Sequence, residues 1–180
     1  MSGHNKWSKI KHKKAATDAQ KSKVFSKHAA LIAVESRKAG GDANAANVVA
    51  AVERAKKDSM PKENIERAIA KGSGAGGNAI EEVLFEGYGP GGVALLIKVV
   101  TDNNNRTAPE IRHIFTKAGY ELGVPGSAAW AFTKTDEGYV PNTPMELDDA
   151  TGEKLAEFIE KLEDNDDVTD VYTSADSQEE

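Results

Sequence analysis

Cysteine is absent from the 180 residues. That excludes a disulfide framework, a thiol nucleophile and any thiolate metal site, and it suits a reducing compartment. Long apolar runs are missing as well. Met1 to Lys14 carries a charge every two or three positions, so no secretory leader or membrane span is expected there, and the protein is expected in the cytoplasm with no membrane partner. The sequence also lacks a Gly-x-Ser-x-Gly elbow, a His-Glu-x-x-His pair and a Walker phosphate loop, each of which would have signalled a reaction class. No enzymatic activity, no cofactor and no metal are expected. What remains is a chain with 39% hydrophobic residues, long enough for one large core or two small ones.

Charge is sorted along the chain. Up to Lys71 there are 16 Lys+Arg against 7 Asp+Glu, a surplus of +9, and the remainder carries 7 against 22, or −15. Such asymmetry speaks about partners: a basic half can follow a polyanion while an acidic half keeps the rest off it. The densest stretch runs from Lys6 to Lys38, where ten cations face only Asp18 and Glu35.

From about Ala15, Val24, Phe25, His28, Leu31 and Ile32 recur at spacings of three and four up to Gly40-Gly41, which predicts a long amphipathic helix with a glycine stop. A second helix follows Asp42, with Val48, Val49, Val52 and Ala55 inward. A third carries Pro61 in its first turn and ends before Gly72. This gives a basic three-helix domain over residues 1–72. The Gly-rich segment 73–79 reads as a joint.

Past the joint the periodicity becomes that of strands. Glu82 to Glu86 and Val93 to Thr101 flank the turn Gly87-Tyr88-Gly89-Pro90-Gly91-Gly92. Thr107-Ala108-Pro109-Glu110 fits a capping box opening a helix with Ile111, Ile114, Phe115 and Ala118 inward. A strand near Ala128 to Thr133, a Pro-containing stretch from Tyr139 to Met145, a helix around Leu155 to Leu162 and a strand from Val168 to Thr173 complete the order ββαββαβ. The fold class is therefore α+β: the helical domain precedes an acidic antiparallel-sheet domain, residues 80–175, with two covering helices. Residues 176–180 are expected to fray.

The chemistry-bearing candidates follow from this layout. The glycines at 87, 89, 91 and 92 precede a strand-like run, whereas a dinucleotide loop must open a helix, so they are turn residues. His4 and His12 sit among lysines that would repel a metal cation, and His28 falls on an apolar stripe. The acidic run Glu163 to Asp167 lacks the glycine and closing glutamate of a calcium loop. Asn103, Asn104, Asn105 and Arg106 are candidates for a second site, since amides and backbone N–H groups at a helix start can hold an anion. An Asx turn with Arg106 closing a salt bridge is the favoured reading of the same residues.

The leading candidates are Lys6, Trp7, Lys9, Lys11, His12, Lys13, Lys14, Lys21, Lys23 and Lys27. A surface helix normally mixes signs, so this surplus points to phosphate-backbone binding rather than to a solvated face alone. Trp7 could stack on a base or anchor the N-terminal arm. Lys positions a backbone, while bidentate Arg does most base reading, and Arg is absent before Arg37. The partner is then DNA or ribosomal RNA, with an acidic protein docked by the basic helix as the rival.

Several segments together closely resemble the YebC family, bacterial proteins related to the mitochondrial translational activator of cytochrome c oxidase. They are Gly3-His4-Asn5-Lys6-Trp7, Ile10 to Ala16, Met60 to Ile69, Glu86 to Gly92, Asp102 to Thr107, Gly126-Ser127 leading into Trp130 and Phe132, and Leu162 to Val168. The resemblance implies a helical first domain followed by α+β domains, with members that bind DNA as transcriptional regulators or act in translation at the ribosome. It implies no catalytic residues. One departure is plain: the family inserts a further α/β domain inside the second one, and here Phe132-Thr133-Lys134 runs to Pro144-Met145-Glu146-Leu147 through a short connection.

Overall fold

The computed structural model describes residues 18–74 and 79–176. They fall into two compact units, one of residues 18–74, 79–83 and 100–104, the other of residues 84–99 and 105–176. Residues 75–78 of the expected joint and 177–180 of the expected tail lie outside the described residues.

The first unit holds three helices: α1 (Asp18–Lys38), α2 (Ala46–Lys57) and α3 (Lys62–Gly72). α1 stops where Gly40 (φ 64°) and Gly41 (φ 88°) turn left-handed, a conformation that costs glycine nothing. Ile32 of α1, Ala51 and Ala55 of α2, Met60 and, from α3, Ile65 and Ala68 make the core, with Phe25, Val52 and Ile69 at its margin. Half of those six are alanines, so the helices approach closely. Gly72 carries this furthest: a Cβ there would overlap the Ala33 carbonyl and stand 2.6 Å from Ser36 Cβ. Ser36 Oγ donates to the Ile69 carbonyl at 2.8 Å. Between α2 and α3, Ser59 N–H donates to Lys56 O (2.9 Å) and Met60 N–H to Ala55 O (3.0 Å). This Schellman pattern normally places glycine where Ser59 stands, at φ 63°.

The strands β1 (Glu81–Tyr88) and β2 (Ala94–Thr101), which lie mostly in the second unit, and β5 (Val168–Thr173) form one sheet in the order β1-β2-β5. A connection of only five residues, tightened by a short 3-10 turn at Pro90–Gly92, joins β1 to β2, which suits an antiparallel pair. β2 and β5 are antiparallel, with Leu95 opposite Thr173 and Ile97 opposite Val171. As the central strand, β2 is a nearly continuous apolar run buried along its length. Leu95, Ile97 and Val99 pack with Ile111 and Phe115 of α4 (Asn104–Ala118) and Leu155, Phe158 and Leu162 of α5 (Asp149–Glu163). The Phe115 and Phe158 rings meet edge to face at 5.0 Å. Ala94 and Leu96 point the other way, into a cluster with Ala128, Phe132, Tyr139 and Tyr172.

Two details depart from the sequence reading. β3 (Phe132–Thr135) and β4 (Gly138–Pro141) pair only with each other, as a separate two-stranded sheet. The helix expected to be capped at Thr107 begins at Asn104, with Pro109 inside it. Thr107 is buried, and its hydroxyl donates to Asp167 Oδ2 at 2.6 Å. That long-range bond replaces the local capping bond.

Candidate nucleic-acid interface

Of the basic candidates, Lys6, Trp7, Lys9, Lys11, His12, Lys13 and Lys14 lie outside the described residues. Lys21 and Lys23 are exposed on α1. Being two positions apart, they point to nearly opposite sides of the helix. Lys27 is 8% exposed. It sits four and seven residues before Leu31 and Val34, which pack with Ala30, Ile80 and Val100, so its aliphatic stem belongs to a covered stripe.

The rest of the unit separates its cations into two groups. Toward the C-terminus of α1 they are engaged within the fold. Arg37 Nη1 donates to the Ile80 carbonyl at 2.7 Å. Lys38 Nζ meets Glu35 at 2.9 Å and Glu82 at 3.3 Å. Burial alone would lower the Lys38 pKa, but the hydrogen bond to Glu35 and the charge of Glu82 outweigh it and hold it above its ordinary value. On α3, Lys62 pairs with Glu66 and Arg67 with Glu63. Lys56, Lys57 and Lys71 are exposed and carry no ion pair among the described residues. Arg54 spends only its Nε, on the Ala50 carbonyl at 3.4 Å.

His28, 2% exposed, meets Asp58 Oδ2 through Nε2 at 2.6 Å. The contact fastens the C-terminal cap of α2 to the middle of α1. Among the described residues no group of side chains is arranged to hold a metal ion.

The Asn run is spread over different environments. Asn103 N–H donates to Thr101 Oγ1 at 3.0 Å. Asn104 opens α4, half-buried, and its Oδ1 has no hydrogen-bond partner. Asn105 is exposed. Arg106 bonds Asp167 Oδ2 at 3.0 Å, and Asp167 N–H bonds Asn165 Oδ1 at 3.0 Å. Arg106 thus closes the salt bridge that the turn reading of this run supposed.

Sequence reasoning passed over two arrangements. The cations of α2 are one, although three basic residues in the four from Arg54 to Lys57 were a readable signal. The other is Glu86, 6% exposed, whose carboxylate accepts from the N–H groups of Gly126 (2.7 Å), Ala128 (3.0 Å) and Ala129 (2.6 Å). Burial pushes its pKa up, but these three N–H groups pull it below its ordinary value. No local pattern pairs Glu86 with a loop forty residues away. The same loop ends at Trp130, whose indole N–H donates to Ser127 O at 2.9 Å and Tyr88 Oη at 3.1 Å.

The chain matches the sequence model of the TACO1/YebC N-terminal domain over residues 5–75, and that of the TACO1/YebC second and third domain over residues 80–138 and 133–175. A protein of Dictyoglomus turgidum named "probable transcriptional regulatory protein" is 46% identical over 180 residues, covering 98% of this chain and 72% of its own length. One of the same name from Syntrophus aciditrophicus is 38% identical, covering 100% of this chain and 97% of its own length. That alignment spans 243 positions against the 180 residues of this chain. The relative therefore carries extra residues within the aligned span. The crystal structure of the conserved hypothetical protein Aq1575 of Aquifex aeolicus superposes with a TM-score of 0.82 at 32% identity, over 95% of this chain and 96% of that one.

Proposed function

The chain belongs to the TACO1/YebC family, and from that premise we propose that it is a regulatory protein that binds nucleic acid, acting on DNA in the control of transcription. The observation that carries the reading is the surplus of cations in the basic half, several of which carry no ion pair among the described residues. Lys6, Lys9, Lys11, Lys13, Lys14, Lys21 and Lys23 neutralise phosphates, and Trp7 among them supports the contact. Binding is driven by release of the counterions condensed on the polyanion, so it weakens steeply with salt. No catalytic step is part of the role. Among the described residues no helix is long and apolar enough to cross a membrane, and the reading places the protein in the cytoplasm beside its nucleic acid.

A second reading has a specific observation behind it. The cations of the basic half are mostly lysines, which hold a backbone without reading bases. A-form RNA is recognised through its shape and backbone, so a ribosomal RNA target and a role in translation suit the same surface.

Binding of the full chain to duplex DNA and to structured ribosomal RNA fragments across a salt series tests both, beside a Lys9→Ala/Lys11→Ala/Lys13→Ala/Lys14→Ala variant. The expected result on DNA is a linear fall of log K with log salt, shallower in the variant by about 0.9 for each phosphate it no longer neutralises. Tighter binding to RNA moves the role to translation. If neither polyanion binds at low salt, the nucleic-acid role falls and an acidic protein partner replaces it.

A further inference from the structure

We infer that the last turn of α2, through Arg54, Lys56 and Lys57, is a second phosphate-contacting surface of the helical unit, adjoining Lys21 of α1. This rests on the nucleic-acid reading above and names residues for it that lie outside the N-terminal basic block.

Three observations support it. The first is availability. Lys56 and Lys57 are exposed and unpaired among the described residues. Glu53 stands one turn before Lys57, at the spacing that favours an ion pair, yet no such pair forms. Asp58, the other nearby carboxylate, is turned onto His28. Arg54 uses Nε inside the helix, and its two terminal nitrogens remain for a phosphate, which a guanidinium holds in a two-point grip.

The second is placement. The His28 to Asp58 contact of 2.6 Å sets the end of α2 against the middle of α1. Lys21 lies seven residues before His28, about 10 Å along the axis and on the same side of the helix. The last turn of α2 therefore lies against the middle of α1, about two turns from Lys21, whereas Arg37 and Lys38, in the last turn of α1, are already engaged.

The third is access. The outward side of α2 carries Ala46, Val49, Ala50 and Glu53, all exposed; the three apolar side chains are too short to hold a nucleic-acid backbone away from Arg54 and Lys57, and Glu53 is the single carboxylate of α2 set against its three cations. Cations in a last turn also favour the negative end of the helix dipole. That role needs no ligand and predicts a change in stability without a change in binding.

The test uses the full chain and a 20-base-pair duplex. An Arg54→Gln/Lys56→Gln/Lys57→Gln variant should give a slope of log K on log salt shallower by about 0.9 for each phosphate left without its cation. A control removing the same charge elsewhere, Lys117→Gln/Lys134→Gln/Lys161→Gln, should keep the parent slope. In the unsubstituted protein, which removes any concern about folding, bound duplex should slow acetylation of Lys56 and Lys57 at least severalfold more than that of Lys117 and Lys161. The inference is overturned if the parent binds with a steep salt dependence while Lys56 and Lys57 acetylate at their free rate, or if the control's slope falls as far as the variant's. If the parent itself does not bind, the failure belongs to the nucleic-acid reading and takes this inference with it.

Discussion

The two units spend their polar groups differently. In the helical unit the core is narrow and alanine-rich, and apart from Lys27, His28, Ser36 and the last turn of α1 the polar side chains described above reach outward as exposed cations or short surface pairs. In the sheet unit Glu86, Tyr88, Asn142 and Asp167 turn inward or along the surface to bind backbone groups and side chains distant in sequence. The contrast shows where each unit keeps its specificity. Helices need only a stripe and a stop to form, which leaves the outward face free to carry charge. A small sheet with long connections must fix its loops, and fixing them consumes the polar residues.

The widest gap between the units should show at Glu86. Glu86→Gln places an amide, half of it a donor, against three N–H donors, and the loss is expected at about 2–3 kcal/mol in denaturant unfolding of the sheet unit. The sign with pH follows from the depressed pKa. Its contribution is present above the ordinary value of 4.5 and is lost as pH falls through the lower folded value. The Gln variant should lack that part of the acid dependence, and an unchanged acid profile would mean that the three N–H groups contribute little. In the helical unit the comparable effect is smaller. Asp58→Ala orphans the buried His28 nitrogen, at about 1–2 kcal/mol measured by thermal melting; a neutral result would leave α2 held by its apolar contacts and by Asn47 on Glu35. Smallest, and of opposite sign, is Ser59→Gly. Relief of the left-handed backbone at φ 63° should raise stability by about 0.5 kcal/mol, read as a small upward shift in Tm.

What was legible in the sequence follows the same division. The three helices and the Gly40-Gly41 stop came from periodicity and glycine placement, which are local signals. Lys27 reads as solvent-facing because it stands in a basic run, while its register with Leu31 and Val34 is the better guide to its burial. In the sheet half, the turn before β2 and the long apolar run of β2 were readable. Two features were not, the start of α4 at Asn104 and the carboxylate clasp of Glu86. Thr107 answers to Asp167, sixty residues on, and Glu86 to a loop forty residues on. Partners so distant leave no trace in spacing.

The β3 and β4 hairpin has a consequence for how such chains change in size. It pairs only with itself, and its turn, Thr135 opposite Gly138, lies within residues 133–138, where the two matched segments of the family's second and third domains overlap. Neighbouring strands hold opposite backbone positions about 5 Å apart, so the two arms offer a fixed socket for any module whose ends lie close together. The order β1-β2-β5 takes no ladder hydrogen bonds from this hairpin, so a module joined at the socket would leave that ladder unbroken. The hairpin still rests on that sheet through Tyr139 and Tyr172, whose rings meet at 5.2 Å, so a change of length at the turn leaves the packing beneath it in place.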